Sequence, residues 1–60
     1  MTDVYTFGAV RVLIDSSTGA ILAVQCRITG QAASLMFSPE YISRAIAQAH
    51  MAWASTADIS

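Results

Sequence analysis

Residues 4–14 are rich in β-branched and aromatic side chains, from Val4 and Tyr5 to Val12 and Ile14, and such residues favour strands. A first strand is therefore predicted over 4–14. Asp15, Ser16, Ser17, Thr18 and Gly19 follow as a run of turn formers. Residues 20–29 give a second strand, whose later half alternates through Val24, Gln25, Cys26, Arg27, Ile28 and Thr29. Gly30 and Gln31 suit a two-residue hairpin loop with glycine at the first central position, leaving 32–37 as a third strand. Ser38, Pro39 and Glu40 then mark a helix start: a capping hydroxyl, a proline at the first helical position and an acid near the positive helix end. The helix is predicted over 39–55, with an apolar stripe at Ile42, Ala45, Ile46, Ala49, Ala52 and Trp53. Residues 56–60 read as a frayed tail.

A two-residue loop at Gly30 and Gln31 would set Ile28 against Ala33, Cys26 against Leu35 and Val24 against Phe37, six apolar residues on one face. A one-residue slip carries every side chain to the other face, so the length of the first loop decides where Arg11 goes. An odd-length loop, closed by Gly19 in the left-handed conformation, keeps Arg11 out of the core. The inner face then holds Thr6, Gly8, Val10, Val12, Ile14, Leu22, Val24, Cys26, Ile28, Ala33, Leu35 and Phe37. The expected fold is α+β: a three-stranded antiparallel meander followed by one C-terminal helix packed on one face, a single two-layer domain spanning 1–60.

Size and composition change this picture in one respect. The chain has 60 residues, 55% of them hydrophobic and only 12% charged. A domain this small buries only about 60% of the surface its unfolded chain exposes. Small domains are usually stabilised by disulfides, metals or oligomerisation. Cys26 is alone, and one histidine with four scattered acids makes no ligand cluster. Self-association or a protein partner is therefore expected. Three arginines, no lysine and a net charge of −1 give no basic footprint for nucleic acid. The start, Met1-Thr2-Asp3, lacks a basic signal region, and no stretch reaches the roughly 20 apolar residues of a membrane helix. A cytoplasmic location is expected, with no membrane partner.

The outer sheet face is the functional clue, because it is not polar. Tyr5, Phe7, Arg11, Leu13, Ile21, Arg27 and Met36 are the expected interaction residues. Arginine and aromatic side chains, with lysine depleted, are the composition of protein interfaces. Contiguous apolar surface of this kind marks an interaction site.

Other candidates have plainer readings. Cys26 falls on the core face, where free cysteines are common. His50 has no helical carboxylate neighbour to orient it as a base. Residues 15–18 lack the glycine-lysine pairing of a phosphate loop and the second acid of a calcium loop. No catalytic, cofactor-binding or metal-ligating residue is assigned. The function expected is a small non-catalytic protein-interaction module of adaptor or inhibitor type, homodimeric or higher. A nucleic-acid-binding β-ribbon dimer is the alternative. A small oligomeric enzyme with a site between subunits is the second.

Overall fold

Gly8 adopts the left-handed region at φ 57°, while Ala9 keeps a negative φ. Glycine there lets two residues reverse the chain. In the computed structural model, which describes the backbone of residues 1–59 and the side chains of residues 1–56, this turn divides the expected first strand in two. The elements are β1 (Thr2–Phe7), β2 (Val10–Asp15), β3 (Ile21–Cys26), a 3₁₀ turn (Ala33–Leu35) and α1 (Pro39–Ile59). The strands form one antiparallel sheet in the order β1-β2-β3, and α1 packs on one face of it. The α+β meander with one C-terminal helix is thus the observed architecture. Its three strands are drawn from residues 2–26 rather than 4–37.

The expected third strand, 32–37, does not form. Among the described residues a single bridge, Gln25 with Ala32, is its only strand pairing. Alanine and serine, which favour strands least here, fill its first half. The segment buries Ala33 and half-buries Phe37, a helical spacing of four, and leaves Leu35 76% exposed. Gly30 closes a turn over 27–29 instead of a hairpin loop, and its N–H donates to Cys26 O at 2.8 Å.

The parity of β2 is as expected. Val10, Val12 and Ile14 are fully buried, and with Ala33, Ala45 and Ala49 they form the core. Opposite them on the same face stand Phe7, Tyr5 and Asp3 of β1, and Cys26 and Val24 of β3. Between β2 and β3 the register shifts after Leu13: Leu13 pairs with Ala23, but Ile14 pairs with Ile21. Leu22 is the extra residue of this bulge. It turns outward, 53% exposed, while Ile21 packs on the core.

Helix α1 starts where its signals place it. Ser38 Oγ accepts the Tyr41 N–H at 3.3 Å, and the Ser38 carbonyl accepts that of Ile42 at 3.1 Å. The helix continues through Ile59, past the expected end at 55 and through most of the expected tail; Ser60 lies outside the described residues. Alanines at 54 and 57 suit this extension, since alanine is the best helix former. Among the described residues no helix is long and apolar enough to cross a membrane.

The helix grips both turns that flank β2. At one end the Ala9 N–H donates to Tyr41 Oη at 3.2 Å, and that hydroxyl donates to Phe7 O at 3.5 Å. The Tyr41 ring sits between Phe7 and Phe37, with centroids 5.7 and 5.2 Å away. At the other end Trp53 Nε1 donates to Ser16 O at 3.1 Å. Gly19, at φ 79°, lies under the indole, where an added Cβ would come within 2.8 Å of the ring.

Removing the Tyr41 hydroxyl in Tyr41→Phe leaves the Ala9 N–H without its partner and should cost about 1–2 kcal/mol. Gly8→Ala should cost at least as much, because the left-handed region is strained for alanine by about 1–2 kcal/mol and its Cβ meets the same hydroxyl. Urea titration of the two single variants and the double variant checks this. The double variant should lose less than the sum, since its alanine no longer meets a hydroxyl.

Candidate functional site

The two-residue turn at Gly8 inverts the parity of β1 relative to one continuous strand. Residues 7 and 10 become cross-strand partners on one face. The expected interaction set is divided as a result. Tyr5 and Phe7 lie on the helix side of the sheet, half-buried against the core. Ile21 joins them there through the bulge. Arg11 and Leu13 stay on the outer face. Arg27 lies just beyond β3, where its Nε donates to Gly8 O at 3.0 Å and its N–H to Ala9 O at 2.9 Å. Its side chain therefore holds the same β1–β2 turn that Tyr41 holds. Met36 follows the 3₁₀ turn, and its Sδ accepts the Thr29 hydroxyl at 3.7 Å. These seven residues do not form one surface.

The outer face is nonetheless apolar at its centre. Val4, Leu13 and Ala23 are direct cross-strand partners and make a row across all three strands. Leu22 adds to the row through the bulge, and Val4 and Leu22 are each 53% exposed. Arg11 and Gln25 form the next row toward the turn, with Arg11 Nη2 donating to Gln25 Oε1 at 3.3 Å. That partner is neutral, so the guanidinium charge is left without a counter-charge in this contact. Ala23 stands on the outer face as the alternation of the second strand implies, whereas Val4 and Leu22 were not expected there. For Val4 two signals were present: glycine inside a strand pattern marks a turn or a bulge, and eleven residues exceeds the usual strand length of about 5–6.

Several polar side chains elsewhere hold backbone groups of the turns and of the chain start. Ser17 N–H donates to Asp15 Oδ1 at 2.8 Å, Ala20 N–H to Thr18 Oγ1 at 3.2 Å, and Ser16 Oγ–H to Met1 O at 2.8 Å. His50 Nε2 lies 3.0 Å from Gly19 O. A carbonyl only accepts, so Nε2 carries the hydrogen in this bond. His50 thus secures the same turn as Trp53. Among the described residues no three His, Cys, Asp or Glu side chains converge.

Cys26 ends β3, and it is 3% exposed. Its thiol is held below its ordinary value chiefly by the Thr29 backbone N–H, then by the Ile28 N–H and the Thr29 hydroxyl, with burial acting the other way. Access opposes the thiolate character that these donors favour.

Comparison with protein families, with curated proteins and with solved structures finds no match to this chain. Its chemistry is read from the surface alone.

Burial should dominate the behaviour of Cys26. Maleimide labelling of the native protein should run at least about 100-fold slower than labelling of the urea-unfolded chain, as expected where access requires local opening. Equal rates would place the end of β3 in open solvent.

Proposed function

We propose that this chain is a small non-catalytic interaction module that binds another protein through the open face of its sheet. The observation that carries this reading is the Val4–Leu13–Ala23 row with Leu22 beside it, on the face that α1 leaves uncovered. Exposed apolar surface rimmed by polar groups is the usual mark of a protein-binding site. Arg11 stands beside the row, and among the described residues its hydrogen-bond partner is the neutral Gln25. The partner that fits is a protein surface of aliphatic side chains carrying a carboxylate to meet this guanidinium. A charge-assisted, bidentate contact of that kind adds geometry as well as strength. Occupying the partner's surface would be the mode of action, as an adaptor or inhibitor works. The single, unpaired Cys26 is in keeping with a reducing, cytoplasmic setting.

The small core supports the reading from a second side. Among the described residues the fully buried aliphatic side chains are Val10, Val12 and Ile14, and the rest of the buried core is Cys26 and three alanines. A fold with so little buried volume gains from covering a second face.

The test is a photo-crosslinking residue at position 13, with the adduct identified by mass spectrometry and the purified partner then titrated. Arg11→Ala and Leu13→Asp should each weaken binding at least about tenfold, equivalent to about 1.4 kcal/mol. Binding that ignores both substitutions would place the contact elsewhere and defeat the proposal.

A further inference from the structure

The two edges of the sheet are not alike. At β3 the far side is partly taken, since Cys26 N–H donates to Gln31 O at 2.8 Å and Gln25 bridges to Ala32. β1 is the other edge, and among the described residues nothing pairs with its far side. Edge strands are usually protected by lysine, proline or a bulge. β1 carries none of these; its one charged side chain, Asp3, is on the helix side, where it accepts the Tyr5 hydroxyl at 3.5 Å. The two-residue turn makes Phe7 and Val10 a hydrogen-bonded pair, so Asp3, Tyr5 and Phe7 direct their peptide groups to β2. Thr2, Val4 and Thr6 direct theirs outward. The bond from Ser16 N–H to Met1 O, 2.9 Å, follows the same parity.

Beside this open edge, between β1 and the helix, lies an open groove of about 230 Å³. The rings of Tyr5 and Phe7 form its floor, and Ala45, Gln48, Ala49 and Ala52 form its wall. The free edge, the apolar groove and the small-sided helix flank all face the same way.

We propose that β1 pairs antiparallel with β1 of a second copy of this chain, about a two-fold axis at Val4. The product is a continuous six-stranded sheet with both helices side by side on one face. This register opposes Thr2 to the second copy's Thr6 and Val4 to its own copy. It uses every outward peptide group of the strand, about six hydrogen bonds in all. Threonine pairs across strands are favourable. The helix lies over β1 and β2 more than over β3. With strands about 4.8 Å apart, two such helices stand about 10 Å apart across the axis, a spacing at which helices pack. Their alanine flanks suit that approach, and the two grooves merge into one closed core. Tyr41 and Trp53 stand over opposite ends of β2, so the helix midpoint is level with Val4 and Leu13. Gln48 therefore comes to the axis. An amide both donates and accepts, so Gln48 can pair with its own copy, as a two-fold interface requires. On the outer face the row becomes continuous through the axis, Ala23–Leu13–Val4 meeting its own copy at Val4. The dimer stands on the edge and the groove, independently of what the outer face binds.

Light scattering coupled to size exclusion, over a dilution series, reads the mass. Wild type should give about twice the 6.4 kDa chain and dissociate on dilution. Val4→Pro removes an N–H aimed at the second copy and no hydrogen bond within the chain. Gln48→Glu alters an exposed side chain and sets two carboxylates at the axis. Each should raise the dissociation constant at least about tenfold while far-UV circular dichroism and Trp53 fluorescence stay native. The Gln48→Glu dimer should recover as pH falls through the ordinary glutamate range, about 4.3. Leu13→Asp should leave the dimer intact, which separates this interface from the outer face. If Val4→Pro fails to fold, Gln48→Glu decides. A wild-type monomer at every concentration, or a dimer that withstands Gln48→Glu, overturns the proposal. In the second case, dissociation by Leu13→Asp would move the self-contact to the outer face.

Discussion

Tyr41 and Trp53 are twelve residues apart on α1, about 18 Å along a helix axis. The six residues of β2 span about 17 Å as an extended strand. That match lets one helix fasten both turns of a three-stranded sheet. At one turn the Tyr41 hydroxyl takes the Ala9 N–H, and Arg27 takes the Gly8 and Ala9 carbonyls. At the other, Trp53 and His50 reach the carbonyls of Ser16 and Gly19. Backbone groups in turns have no ladder partner, and leaving them unpaired near a core is costly. The helix and Arg27 supply those partners, so strand registry and helix docking depend on the same few bonds.

Small residues make this docking possible. Ala45 and Ala49 are the helix residues buried against Val10, Val12 and Ile14. Their spacing of four puts them on one stripe, and their size brings the helix backbone close to the sheet. Gly8 and Gly19 serve the same end, since a side chain at either would strike Tyr41 or Trp53. The arrangement has a consequence for stability. Alanine buries little area, so a core with three alanines among its buried residues yields less hydrophobic free energy than one of leucines. What the core lacks, the outer sheet face and the β1 flank still hold as uncovered apolar surface.

The two unfilled surfaces differ in kind. The outer face offers side chains: Val4, Leu13, Ala23 and Leu22, with Arg11 as the charged group. The β1 edge offers backbone, backed by the Tyr5 and Phe7 rings. Backbone pairing is open to any strand of matching length, whereas a side-chain surface can distinguish partners. Division of labour between assembly at the edge and recognition on the face is consistent with both proposals. Tyr5 and Phe7, read as recognition residues, stand in the groove instead because the turn at Gly8 sets them on the helix side.

Local chemistry was enough for several features. Ser38 and Pro39 specify where the helix begins whatever surrounds them, and Gly19 suits the left-handed turn it occupies. The alternation of Val10, Val12 and Ile14 against Arg11 and Leu13 specifies the buried side of β2, because burying an unpaired arginine is costly. The sides taken by β1 and by Ile21 were not legible in the same way. Alternation of period two reads equally well on either face, and one extra or missing residue inverts it. For β1 that residue count depends on a turn at Gly8 and Ala9, whose N–H is satisfied by a hydroxyl 32 positions away. For Ile21 it depends on a bulge at Leu22. Residues 32–37 likewise carry an apolar alternation, yet the space beneath α1 takes Ala33 and Phe37 and not Leu35. The sequence by itself determined the kinds of elements and the buried face of the central strand, where local preference and burial agree. Only the tertiary structure decided which faces the flanking segments present, since that rests on contacts between residues far apart in the chain.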